Sequence, residues 1–208
     1  MQVLPDILRT RLSEPLPGRT AQDKMMGRLR PMPEVIPENI RDSAVLQLIY
    51  PINNEPTLLF IRRSDDGRTH GGQISFPGGR HEEADTDFQI TALRETQEEV
   101  GIIPSNIELI GALTPLYIPV SFYMVHPFVA WSETRPEFHP NIEEVSEIIE
   151  VPVASLFHKE NKIITHVTST AMPGQTFTVP AYNLPDGSFI WGATAMMLSE
   201  LEELIMRP

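Results

Sequence analysis

Residues 70–102, HGGQISFPGGRHEEADTDFQITALRETQEEVGI, constrain this chain more than any other stretch. A glycine turn and an acidic run lead into Arg94-Glu95-Thr96-Gln97-Glu98-Glu99-Val100-Gly101. The carboxylates at 95, 98 and 99 stand three and four residues apart, and on a helix of about 3.6 residues per turn that spacing puts them on one face. Like charges at that spacing oppose a helix by about 0.2–0.5 kcal/mol per pair. An acidic face of this kind is most readily understood if cations occupy it. The helix is expected over about 87–100, with Gly101 where a left-handed cap is favoured. Ile90, Leu93 and Val100 share one side and are expected to anchor it, roughly opposite Glu95 and Glu99.

The remainder reads as scaffold around that stretch. Leu4, Ile7, Leu8 and Leu12 follow helical spacing and predict a short helix over 3–13. Residues 14–41, rich in proline and carrying Arg19, Lys24, Arg28 and Arg30, read as an irregular arm, either a solvated linker or a contact for substrate or a second subunit. Runs 44–50 and 57–62 predict antiparallel strands joined by the turn-rich 51–56. A polar loop at 63–70 and a brief strand at 73–76 come next, the strand ending at Pro77-Gly78-Gly79. Further strands are expected at 107–113, at 122–131 with a bend at Pro127, and at 146–151, with an apolar loop at 116–121 and a turn of helix at 153–157. Residues 163–190 alternate strand-like runs with turns at Pro173-Gly174 and Asp186-Gly187, and a last helix spans about 193–206. The pattern predicts an α/β (α+β) domain over 42–208, preceded by a helix and arm over 1–41, with a mixed central sheet and helices on its faces.

Composition narrows the chemistry. At 208 residues and 41% apolar content the chain suits one domain with a buried core. It has no cysteine, so any metal site must use oxygen or histidine. A formal net charge of -12 argues against nucleic-acid or anionic-membrane binding. It leaves room for a phosphorylated small molecule, whose charge bound divalent ions and local arginines can offset. The start, MQVLPDILRT, lacks a signal-peptide pattern and no apolar run approaches membrane-spanning length, so the expected location is the cytoplasm.

Gly79, Asp85, Arg94, Glu95, Glu98, Glu99 and Gly101 together resemble the Nudix box of the Nudix hydrolases. The first acid is aspartate rather than glutamate and eight residues rather than seven separate it from Arg94, so either Asp85 or Asp87 takes that place. Upstream, Leu59-Phe60-Ile61-Arg62-Arg63-Ser64, Arg68 and the run His70 to Gly79 resemble the signature of the coenzyme A pyrophosphatase branch, which shares the longer spacing. The resemblance covers about 44–131. It implies a Nudix α/β/α sandwich, Mg2+ or Mn2+ as cofactor, and a nucleotide substrate, coenzyme A or an acyl derivative. Cleavage would give adenosine 3',5'-bisphosphate and (acyl-)4'-phosphopantetheine. A homodimer is compatible with it.

Diphosphate hydrolysis brings a nucleophile against an already negative group, and hard divalent cations held by carboxylate and carbonyl oxygens offset that charge. Glu95 and Glu99, one turn apart, are the expected metal pair, with Glu98 to the side for a second ion. Gly78 and Gly79 permit close backbone approach, and the Gly79 carbonyl is a further candidate ligand. Arg94 cannot ligate a cation and is expected to orient the carboxylates. Arg63, Arg68 and His70 are candidates for substrate contact or loop ordering, and Glu144 is a candidate further acid from a distal loop. A metal-bound water activated by a glutamate is a better expected base than His70. Two rival readings stand beside this one: a Nudix enzyme for ADP-ribose or a dinucleotide, and a silent nucleotide-binding sensor. The intact glutamate cluster argues against the sensor.

Overall fold

The computed structural model describes residues 4–27, 37, 39–65, 71–169 and 172–207. Its centre is an antiparallel hairpin, β1 (Arg41–Ile52) and β2 (Glu55–Arg63). Ile52 pairs with Glu55 across Asn53 and Asn54, at φ 51 and 66. Asparagine tolerates that left-handed backbone better than most residues, and two such positions make the tight hairpin turn that fits the strand twist. The strands therefore run further into the expected 51–56 link than local composition suggested.

Short strands β3 (Ile74–Ser75) and β4 (Gly78–Arg80) pair with β2 and β1. After helix α3 (Phe88–Val100) come β5 (Glu108–Ala112), β6 (Leu116–Ile118) and β7 (Tyr123–Trp131). β7 lies parallel to β1 from Arg41↔Tyr123 to Ile49↔Trp131, and its other edge takes β6 and then β5. Pro127 falls between those two pairings, where a missing N–H costs the ladder least, and its carbonyl accepts from Leu113 N at 2.9 Å. β8 (Val145–Pro152) pairs with β2 and runs into the short helix α4 (Val153–Leu156). The resulting sheet is mixed, as expected, whereas the loop expected at 116–121 contains β6 with Tyr117 buried.

Alternation along β1 builds two cores. Leu46, Leu48 and Tyr50 join Ala92 and Val100 of α3 on one face, while Ile49 faces the other way with Leu58, Phe60 and Val129. That second face is covered by α5 (Gly192–Met206) through Met197, Leu198, Leu201 and Leu204. A three-stranded sheet of β9 (Lys162–Ser169), β10 (Met172–Asn183) and β11 (Phe189–Trp191) leads into α5. Pro173 and Gly174 lie inside β10, at a register shift between Met172 and Thr176, rather than at a reversal. Among the described residues no helix is long and apolar enough to cross a membrane.

The amino-terminal helix forms where expected, and residues 14–27 of the expected arm carry more regular structure than their composition predicts, while Arg28 and Arg30 lie outside the described residues. The segment carries α1 (Leu4–Leu12), a short α2 (Arg19–Gln22) and a 3-10 turn at Asp23–Met25, with Leu8 and Met25 in the α5-side core. The buried Glu200 carboxylate of α5 fastens it, accepting from Gly18 N at 3.0 Å, Gln22 Nε2 at 3.0 Å and Thr114 Oγ1 at 2.6 Å. Arg11 caps the far end of α5 by donating to the Leu204 and Ile205 carbonyls.

Candidate active site

Helix α3 starts and stops where its sequence says. The Asp87 side chain caps it by accepting from Ile90 N at 3.0 Å, and Gly101 ends it in the left-handed region at φ 76. A side chain at 101 would also meet His139, 2.6 Å from its Cβ. The anchoring face differs from expectation. Ile90 is 42% exposed and Leu93 half-buried, while Thr91, Ala92, Thr96, Glu99 and Val100 are buried. Small side chains at 92 and 96 let the helix approach β1 closely, and Phe88 anchors its start by stacking on His126 with ring centroids 3.7 Å apart. Glu99 therefore belongs to the buried side and not to a solvated one.

The glycine strand closes over that carboxylate. Glu99 is 1% exposed; its Oε2 accepts from Gly78 N at 2.8 Å and its Oε1 from Arg63 Nη1 at 3.2 Å. Burial pushes its pKa up to about 7, against the pull of the Gly78 N–H and Arg63. Burial also raises Glu95, opposed by Arg94 and reinforced by Glu98 and Glu144. Gly78 sits at φ 149, and a Cβ there would lie 2.3 Å from the Ala44 carbonyl oxygen. At Gly79 a Cβ would lie 2.3 Å from Glu95 Oε2. The two glycines thus let β4 press at once against β1 and the Glu95 carboxylate. We predict that Gly79→Ala, whose backbone an alanine can adopt, displaces Glu95 and lowers kcat about 10- to 100-fold while leaving the melting temperature nearly unchanged, read by steady-state kinetics and thermal unfolding. A large fall in melting temperature would instead place the strain in the backbone.

Arg94 gathers the remaining acids. It donates to both oxygens of Asp85 at 3.0 Å, to Glu95 Oε1 and Glu98 Oε2 at 3.0 Å each, and to the Arg80 carbonyl at 3.0 Å. Asp85 is buried and also accepts from Thr91 Oγ1 at 2.9 Å and Glu82 N at 3.1 Å. The Arg94 guanidinium is the largest cause holding its carboxyl well below the usual carboxylate range. The alternative left open by spacing thus resolves into two jobs: Asp85 holds Arg94, and Asp87 caps the helix.

A cleft of ≈ 520 Å³ opens here, lined by Arg63, Gly78, Gly79, Glu95 and Glu99, together with Ser64, Gly71, Arg80, Glu143 and Glu144. The 141–145 turn reaches it because Asn141 N donates to the Glu99 carbonyl at 2.9 Å and Ser64 N to the Glu144 carbonyl at 2.8 Å. Glu144, a candidate from the sequence, is therefore brought in together with its neighbour Glu143 from the same segment; Arg80 was not among the candidates. Glu98 lies outside the lining and its side chain is 55% exposed. Arg68 and His70 lie outside the described residues.

The donors suit a hard divalent cation: oxygens only, from Glu95 and Glu99 with Glu143 and Glu144 across the cleft, against the two cations Arg63 and Arg80. Among the described residues no three acidic or histidine side chains converge to enclose an ion by themselves, so water or substrate oxygens must complete any shell.

A NUDIX domain profile matches residues 41–169. The chain is 37% identical over 161 residues to "Uncharacterized Nudix hydrolase NudL" of Pectobacterium atrosepticum, covering 77% of this chain and 81% of that protein. Its namesake in Photorhabdus laumondii is 34% identical over 177 residues, covering 85% and 91%. Among solved structures, a MutT/nudix family protein from Enterococcus faecalis superposes with a TM-score of 0.54 at 17% identity, over 85% of this chain and 65% of that one, a likeness of fold. The mixed sheet and its helices are accordingly those of a Nudix fold, and this chain belongs to the Nudix hydrolases, which act on diphosphate linkages.

Proposed function

We propose that this protein is a Mg2+- or Mn2+-dependent diphosphatase whose preferred substrate is coenzyme A or an acyl derivative, cleaved to adenosine 3',5'-bisphosphate and (acyl-)4'-phosphopantetheine. The observation that carries the reading is the packing of the upstream signature onto the box: Arg63, at the end of β2, meets the buried Glu99 at 3.2 Å, and Ser64, Gly71 and the two glycines continue that wall. The segment that distinguishes the branch is thus the segment that shapes the cleft.

Glu95 and Glu99 would hold the cation, with Glu98 beside them for a second ion and Gly79 offering its carbonyl. The bound cation supplies charge neutralisation for the diphosphate and an acidified water. Arg94 keeps Glu95 and Glu98 in place through a fork fixed on Asp85. In the reaction a water oxygen bonds to phosphorus, the bridging P–O bond breaks, and the water's proton passes to a carboxylate. Glu143 and Glu144, exposed on the 141–145 turn, offer carboxylate oxygens for that proton.

The test is kcat/KM for coenzyme A, acetyl-coenzyme A, ADP-ribose and a dinucleoside polyphosphate with Mg2+, the products identified by mass. Coenzyme A or its thioester should lead by at least about tenfold, one missing recognition contact being worth that much. A lead for ADP-ribose would overturn the branch assignment, and binding without turnover would favour the sensor.

A further inference from the structure

In a chain of net charge -12 nearly every cation should find an acid, and the described arginines do so with one exception. Each of the others holds a carboxylate or a backbone carbonyl. Arg80 lines the cleft and is exposed, yet its guanidinium has no acidic or carbonyl partner among the described residues; only its backbone is engaged, its carbonyl accepting from Arg94. Four glutamates line the same cleft.

Strand geometry explains why these do not neutralise it. A Cβ on Gly79 would run into Glu95, so the Gly79 position faces α3. Successive strand residues face opposite sides, which turns Arg80 away from Glu95, alongside its β1 partner Ser43. β4 thereby places acid-facing glycine and an uncommitted cation on adjacent residues, one on each side of the sheet edge at the cleft. A planar guanidinium with its donors unspent, beside a cleft that takes a diphosphate, matches a phosphate in charge and shape.

We infer that Arg80 is a substrate-binding residue that grips a phosphate of the nucleotide from the sheet face opposite the carboxylates. The phosphate is either one of the diphosphate or an outlying one such as the 3'-phosphate of coenzyme A. This rests on the cleft being the diphosphate site, but not on coenzyme A being the substrate.

Arg80→Ala should raise KM for coenzyme A about tenfold or more. Its kcat should move by less than about twofold, the sign of lost ground-state binding. The variant's KM should depend less steeply on salt than the wild type's, which a packing defect would not produce. Arg80→Lys should recover part of the loss. Dephospho-coenzyme A separates the sources: an equal loss with both substrates assigns Arg80 to the diphosphate, and a loss with coenzyme A alone assigns it to the 3'-phosphate. An unchanged KM for both in Arg80→Ala overturns the inference. If the wild type cleaves ADP-ribose and not coenzyme A, the branch assignment fails and the same comparison is made with ADP-ribose. If it cleaves neither, calorimetric binding of ADP with Mg2+ decides, with an unchanged Kd in the variant overturning the inference.

Discussion

Glu99→Gln should lower kcat by about 100- to 1,000-fold, with the fold intact, and should make the metal-free protein more stable at alkaline pH. Both effects come from one carboxylate enclosed at 1% exposure. Its pKa rises from 4.5 to about 7, burial being the chief cause. Between those values the folded state keeps a proton that the unfolded state has released, so stability is greatest below pH 4.5 and falls as pH climbs through 7. At roughly 1.4 kcal/mol per pH unit the loss amounts to at most about 3.5 kcal/mol. Glutamine, which does not ionise, removes that loss while its carbonyl still accepts from Gly78 N. Urea unfolding in EDTA should show the variant gaining stability at pH 8 and little at pH 4. Near wild-type turnover, or equal stability at both pH values, would contradict the role given to Glu99.

Removing Arg94 should be the most destabilising single change at the site. Arg94→Ala strips the fork from Asp85, whose side chain is 3% exposed, and frees Glu95 and Glu98. Leaving a buried charge without its partner costs about 3–5 kcal/mol; Thr91 and the Glu82 N–H still serve Asp85 and place the expected loss at about 3 kcal/mol. Asp87→Ala loses one helix cap, worth about 1 kcal/mol, and should leave turnover intact. Equal costs in chemical denaturation would mean that Asp85 does not need Arg94.

What was legible in the sequence was local. The helix start near 87, the stop at Gly101 and the two strands on either side of Asn53-Asn54 follow from side chains within a few residues of where they act. The acids were legible as a group because helical spacing brings Glu95, Glu98 and Glu99 together. Their unequal burial was not, because the cover over Glu99 comes from a strand 21 residues earlier. Apolar spacing nominated Ile90, but the sheet beneath accepts Ala92 and Thr96 more closely. Glu143 entered the site through bonds between distant segments, Asn141 to Glu99 and Ser64 to Glu144. Residues 14–27 of the arm are held for the same reason, through Glu200 bonding Gln22 and Thr114 across 178 and 86 residues. In Arg80 the sequence shows only a charge; that its guanidinium has no acidic or carbonyl partner among the described residues is a property of the folded strand.

The most direct test of a metal-dependent diphosphatase is to strip the protein with EDTA, add coenzyme A, and follow products by mass before and after Mg2+ in excess of the chelator. Adenosine 3',5'-bisphosphate and 4'-phosphopantetheine should appear only after the ion is added, and not with Glu99→Gln. Cleavage that proceeds equally in EDTA, or coenzyme A that stays intact with Mg2+ present, would contradict the account.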